Sequence, residues 1–207
     1  IWLGLVGSEM CIRDSLNTIQ AAIYRSDKKF ASNYIAQFGK LIRLVLESSK
    51  NSTIYLDTEI EMLTLFMKLE AERFSGKMKY QIIKDFKIDL ESIKIPSMVI
   101  QPFVDNAIIH GLSPQKEKNC LLNIEFKLVE ENVLVCIIED NGIGRTAAVT
   151  RLNAFKNKTE AMGTKISIDR LNHYSKETNN KFSFETFDLF DANKAPKGTK
   201  VEIIFYI

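Results

Sequence analysis

The hydrophobic pattern of this chain changes near Lys79, from helical stripes to strands mixed with helices, and that change limits the folds it can reach. Before it, Phe30, Tyr34, Phe38, Leu41 and Val45 recur at steps of three and four, with Ile35, Ile42 and Leu46 widening the stripe. That spacing predicts an amphipathic helix over residues 16–49. Asn51-Ser52 breaks the pattern. Thr58 and Glu61 have the spacing of a capping box, so a second helix is expected to start there. Ile60, Leu63, Phe66, Met67 and Leu69 form its apolar face, and Gly76 lies just past its end. The short connection predicts an antiparallel hairpin.

After Lys79 the runs are β-rich. Tyr80-Gln81-Ile82-Ile83 reads as a strand. Residues 121–129 and 133–139 read as a hairpin joined by Glu130-Glu131-Asn132. Residues 182–187 and 199–207 read as strands around a turn containing Pro196-Lys197-Gly198. Pro96 fits the first turn of a helix running to His110 and stopping at Gly111. Further helices are expected over 146–155 and 164–176, with a polar loop between them. The class is therefore α+β: an N-terminal helical hairpin, then a two-layer α/β sandwich with helices on one face of a mixed sheet.

Composition narrows the function. Hydrophobic residues at 45% and charged residues at 26% exclude disorder as the main state. Lys+Arg of 28 against Asp+Glu of 26 leaves a net charge of +2, which gives no reason to expect a nucleic-acid partner. Cys11, Cys120 and Cys136 are odd in number and lack metal-like spacing. No apolar run reaches the roughly 18 residues that a membrane span needs. The opening string IWLGLVGSEMCIRDS resembles the translated read-through of a sequencing-library adapter, so residues 1–15 are set aside from fold reasoning. The chain is then expected to be a C-terminal fragment: 1–15 without a fold, 16–77 a helical region, 78–207 a ligand-binding domain.

Three stretches carry the chemistry. In the first, a β-rich run ends in Glu139-Asp140-Asn141-Gly142-Ile143-Gly144-Arg145. A carboxylate only accepts hydrogen bonds, so at a pocket mouth it selects a ligand with an amino donor, such as adenine. The glycines let the backbone approach a ligand or turn with positive φ. Alone, the stretch is equally an ordinary turn after a strand. The second is Gln101-Pro102-Phe103-Val104-Asp105-Asn106-Ala107-Ile108-Ile109-His110-Gly111. Asp105 and Asn106 are hard oxygen donors inside an apolar segment, suited to Mg²⁺, and Asn106 and His110 share a helical face. A helix with a satisfied polar edge has the same pattern. The third is Gly163-Thr164-Lys165, a glycine opening a helix whose free N–H groups suit an anion. Helix starts of this kind are common.

Taken in chain order, residues 101–111, 139–145 and 163–165 resemble the N box, G1 box and G2 box of the GHKL ATP-binding fold. More narrowly, the chain resembles the kinase module of LytS-like sensor histidine kinases. Phe38-Gly39-Lys40-Leu41-Ile42-Arg43, Leu46-Glu47-Ser48-Ser49, Leu69-Glu70-Ala71-Glu72-Arg73-Phe74, Ile95-Pro96-Ser97-Met98 and Gln101-Pro102 extend the likeness over residues 16–207. The resemblance implies that Asn106 coordinates Mg²⁺ between the phosphates of ATP and that Asp140 hydrogen-bonds the adenine amino group. It puts Gly142 and Gly144 beside the base, and Gly163 at the phosphate end under a lid of about residues 155–162. Thr164 would share that end, and Thr199 would reach the base side through water. His110 would sit near the phosphates without accepting one. Asp105 replaces a common Glu, and Ile109 a common Lys whose phosphate contact Arg145 or Lys165 would have to supply.

The family's phosphoacceptor lies in an N-P-H-F-x-F-N segment just before L-N-x-I-Q, here Leu16-Asn17-Thr18-Ile19-Gln20. Neither His110 nor His173 has that context. The acceptor is expected upstream, so this chain should bind ATP without phosphorylating itself. The resemblance further implies a bacterial protein that is a homodimer through its N-terminal helices. It would have a LytTR-type response regulator as partner and a cytoplasmic kinase module tied to a membrane only by upstream segments. The rival readings are a GHKL ATPase of gyrase or mismatch-repair type, with Asp105 activating water, and a non-catalytic ATP-binding regulator.

Overall fold

The computed structural model describes residues 6–115, 119–148 and 182–207. Helix α1 (Val6–Tyr24) begins inside the segment that the sequence sets aside. Helix α2 (Lys28–Ser48) follows after a break that the stripe did not reveal. Ser26 turns with φ of 60°, and the Asp27 carboxylate accepts the Phe30 N–H at 3.0 Å. A polar Arg25-Ser26-Asp27 thus ends one helix and caps the next, where a single helix was expected. Helix α2 buries Ala31, Tyr34, Leu41 and Ser48.

Strand β1 (Thr53–Tyr55) leads into α3 (Leu56–Arg73). This helix starts two residues before Thr58, so Thr58 and Glu61 lie inside it and form no capping box. The Thr58 hydroxyl instead lies 3.1 Å from Asp57 Oδ1, and Glu61 pairs with Lys40 of α2 at 2.6 Å. Both partners of that ion pair are about half exposed, so it contributes little. Leu56, Ile60, Met62, Leu63, Phe66, Met67 and Leu69 of α3 are buried, as befits a helix packed on two sides. Ser75 and Gly76, with φ of 52° and 78°, turn the chain after its end, as expected.

Strand β2 (Met78–Lys84) follows, then β3 (Lys94–Pro96), which pairs antiparallel with β1. Pro96 therefore closes a short strand and does not open a helix. The next helix, α4 (Gln101–Asn106), takes Pro102 into its first turn instead. It continues as a π-helical turn, Ala107–Leu112, that runs through Gly111. Strands β4 (Cys120–Glu130), β5 (Val133–Asp140), β6 (Phe182–Phe190) and β7 (Pro196–Tyr206) complete the described elements.

The main sheet has the order β2-β4-β5-β7-β6, with β2 parallel to β4 and the remaining pairs antiparallel. It is the mixed sheet the sequence predicts. Leu122, Ile124, Phe126, Leu134, Cys136, Ile203 and Phe205 alternate onto one face and are fully buried. Phe103 of α4 meets Phe184 of β6, with ring centroids 5.5 Å apart. The other face carries Lys127–Glu125 and Lys200–Glu202 ion pairs. The β6–β7 turn is made by 191–195, where Asp191 Oδ1 accepts the N–H groups of Asn193 and Ala195, each at 2.8 Å. Pro196-Lys197-Gly198 belongs to β7 and not to the turn. The expected helix 164–176 and lid 155–162, and most of the helix 146–155, lie outside the described residues.

Candidate functional site

Asp140 is the last residue of β5, and the period of two turns it to the covered face. It is 4% exposed. Its Oδ1 accepts the Gly142 N–H at 2.7 Å, and the Thr199 N–H on neighbouring β7 also bonds the carboxylate. Burial pushes its pKa up to about 6. The two backbone donors hold it down against that push, and Glu139 adds a smaller upward one.

The space around Asp140 is set by glycines. A Cβ on Gly111 would lie 2.7 Å from Asp140 Oδ1, and one on Gly142 would lie 2.4 Å from the Gly111 carbonyl carbon. Gly198, at φ of 142°, brings β7 so close that a Cβ would meet the Asp140 carbonyl oxygen at 1.9 Å. The Ile143 N–H donates to the Gly111 carbonyl at 3.1 Å. The turn after β5 is thereby sewn to the π-helical turn after α4. Asn141 fixes the neighbouring loop: its side chain accepts the Leu121 N–H at 2.7 Å and donates to the Asn119 carbonyl at 2.9 Å. Gln115 Nε2 donates to the Asn141 carbonyl at 2.7 Å.

Asp105 and Asn106 end α4, and both are partly exposed. Burial of its carboxyl, and then the nearby Glu70, push the Asp105 pKa up to about 7. Glu70 is 2% exposed, and Arg73 Nη1 donates to both its oxygens at 2.6 and 2.7 Å. His110 lies in the π-helical turn, where the wider repeat shifts its phase relative to Asn106 from that of a plain α-helix. Such turns are frequent at functional sites.

Gly144 takes φ of 75°, which an L side chain rarely adopts. Arg145 makes a two-pronged pair with Asp188 of β6, both bonds 2.7 Å. The guanidinium is therefore tied to β6 in this structure. Thr199 sits opposite Asp140 in the β5–β7 ladder. Gly163, Thr164 and Lys165 lie outside the described residues. The structure thus joins the first two motif stretches through Gly111 and adds Gly198 and Gln115. In the sequence, Gly198 falls in a fourth candidate stretch, Lys197-Gly198-Thr199-Lys200, that reads equally as a plain hairpin turn, and nothing marks Gln115. Two open clefts, of about 560 and 460 Å³, share Thr53 and Lys94. The larger reaches Asn132, at the hairpin end of β5 opposite Asp140, and neither contains a site residue.

Among the described residues, no group of three His, Cys, Asp or Glu side chains could hold a metal. Asp105 and Asn106 offer one carboxylate and one amide oxygen. That donor set fits Mg²⁺ held mainly by water and ligand phosphates.

Residues 12–78 match a family model described as histidine kinase. The Sensor histidine kinase/phosphatase LytS of Staphylococcus aureus strain MRSA252 is 27% identical over 161 residues, covering 77% of this chain and 26% of the relative. LytS of strain Mu50 gives the same figures. The chain spans about a quarter of the length of the curated relatives it matches. Among solved structures, the histidine kinase domain of the Erythrobacter litoralis EL346 blue-light activated histidine kinase aligns with a TM-score of 0.51 at 12% identity. That alignment covers 94% of this chain and 91% of the other. The mycobacterial sensor histidine kinase MprB aligns at 0.50 and 11% identity, covering 74% and 95%. The chain has the fold of histidine kinase catalytic domains, and its resemblance to LytS-like sensor histidine kinases is borne out.

Proposed function

We propose that this chain is the ATP-binding part of a two-component sensor histidine kinase. The observation that carries the reading is Asp140, a buried carboxylate at a strand end, walled by Gly111, Gly142 and Gly198. A carboxylate has about four acceptor positions, and two backbone N–H groups use part of them. An adenine amino group is the donor suited to the remainder. Gly142, Gly144 and Thr199 then flank the base. Asn106 would hold Mg²⁺, with Asp105 and His110 nearby in the chain, and the ion would supply charge that neutralises phosphates. Gly163, Thr164 and Lys165 serve the phosphate end. Arg145 can serve it only by leaving Asp188.

In the whole protein, the γ-phosphoryl would pass to a histidine outside the motifs of this chain, then to an aspartate of a response regulator of LytTR type. This chain would bind ATP without phosphorylating itself. A second copy would pack on the N-terminal helices, where Leu16, Ile23, Ile35 and Leu46 stand exposed. Among the described residues no helix is long and apolar enough to cross a membrane. Attachment to one would fall to upstream segments.

The test is thermal unfolding with and without Mg-ATP. Ligand at about a hundredfold over its Kd adds about 2.7 kcal/mol, so the midpoint should rise by roughly 5–10 °C. No shift would favour a nucleotide-insensitive regulator. The second reading is hydrolysis, with Asp105 at the end of α4 as general base: burial pushes its pKa up to about 7, in the range that suits one. Under the kinase reading, steady phosphate release should be negligible, and Asp105→Asn should leave it so. Sustained release that falls by about 10²-fold or more in Asp105→Asn would make the chain an ATPase.

A further inference from the structure

Helix α4 carries Asp105 and Asn106, yet its own first residues do not cap it. Its N-cap residue is Ile100, with no side-chain capping bond. A helix start leaves backbone N–H groups without partners inside the helix. The turn leading into it is also unusual, with Met98 at φ of 56°. Glu59 of α3 reaches this turn from 41 positions earlier in the chain. Its Oε2 accepts the Met98 N–H at 3.2 Å, and its Oε1 accepts the Ile100 N–H at 3.3 Å. Glu59 is 1% exposed.

A negative side chain at a helix start is favoured both by its hydrogen bonds and by the helix dipole. Here it comes from a different helix. The same turn is pinned to the end of α2 and the loop after it, because the Ser97 hydroxyl donates to the Ser48 carbonyl at 2.8 Å and the Ser97 N–H to the Ser52 carbonyl at 3.0 Å. We propose that Glu59 is a positioning residue for Asp105 and Asn106: its two bonds fix where α4 begins, and so where its last residues stand relative to Asp140. A displacement of α3 would then reach the phosphate end of the site through one carboxylate. The proposal rests on the ATP-binding reading only for what Asp105 and Asn106 contact.

The test uses the full chain and Glu59→Gln. The amide oxygen keeps one of the two bonds, while its NH₂ faces the other N–H donor. Amide hydrogen exchange is measured first, without nucleotide. The amides of Met98, Ile100, Gln101 and 103–106 should exchange about ten- to a hundredfold faster, with β4, β5 and β7 unchanged. Binding of ATP is then compared with and without Mg²⁺. Glu59→Gln should lose most of the gain that Mg²⁺ gives while keeping its metal-free affinity, since the Asp140 end is untouched. Unchanged exchange in α4 overturns the proposal. So does uniform loss of protection across the sheet, which a merely structural role would produce, or an equal loss of affinity with and without metal. If exchange changes as expected but the unmodified chain binds no ATP, the positioning stands and the nucleotide reading falls.

Discussion

Asp140→Ala is expected to weaken Mg-ATP binding by about ten- to a hundredfold, and to erase preference for ATP over GTP. The first figure follows from removing a hydrogen bond to a charged group, worth roughly 1.5–3 kcal/mol. The second follows from chemistry: adenine offers an amino donor where guanine offers a carbonyl oxygen. A carboxylate facing that carbonyl meets acceptor with acceptor, and a site built around a hydrogen bond rejects the ligand that lacks it. Alanine removes both the attraction and the repulsion. Calorimetric titration of ATP and GTP into both proteins measures it, with circular dichroism to establish that the variant is folded. A folded Asp140→Ala that binds ATP within twofold of the original would sink the adenine assignment. Because the pKa of Asp140 is pushed up to about 6, binding to the unmodified chain should also decline as pH falls through that value.

The legible parts of this fold were those set by side-chain periodicity. Residues 133–139 read as a strand because they are apolar from Val133 to Ile138, and β5 is buried on its inner face from Leu134 to Ile138. The α2 stripe was equally plain, but its break was not, since Asp27 caps through a bond that periodicity does not record. Two prolines misled for one reason. Pro96 and Pro196 both tolerate strand ends and turns, and only pairing with β1 and with β6 decides between them. The candidate side chains Asp140, Asp105 and Asn106 stand out in the sequence by residue type and context. Their surroundings do not, because Gly111, Gly198, Gln115 and Glu59 act through contacts between elements distant in the chain. The π-helical turn was hidden too: Ala107 to Leu112 has the composition of an ordinary α-helix.

The unliganded protein is expected to lose stability as pH rises from about 4 to about 8, opposite to the usual trend for paired carboxylates. Asp105 and Asp140 have their pKa values raised from 3.8, to about 7 and about 6. Between those values and 3.8 the folded state keeps protons that the unfolded chain has released. Stability falls with pH wherever the folded state binds more protons. The contribution is therefore fully present below about pH 4 and is lost as pH climbs through about 6 and then about 7. Each raised carboxyl contributes in this sense, Asp105 more than Asp140. Asp188, lowered by Arg145, acts in the opposite sense, but its effect lies below pH 4 and is small because the pair is well exposed. Denaturant titrations at pH 5 and pH 8 should show the drop, and Asp105→Asn should remove the larger part of it. An Asp105→Asn variant with the same pH dependence as the unmodified chain over that interval would contradict the raised Asp105 pKa. The same ionisation that weakens the empty fold creates the acceptor that an adenine amino group needs, so nucleotide affinity should rise over the lower part of the pH range in which unliganded stability falls. A site that is costly to keep charged when empty gains most when a ligand supplies the missing donor.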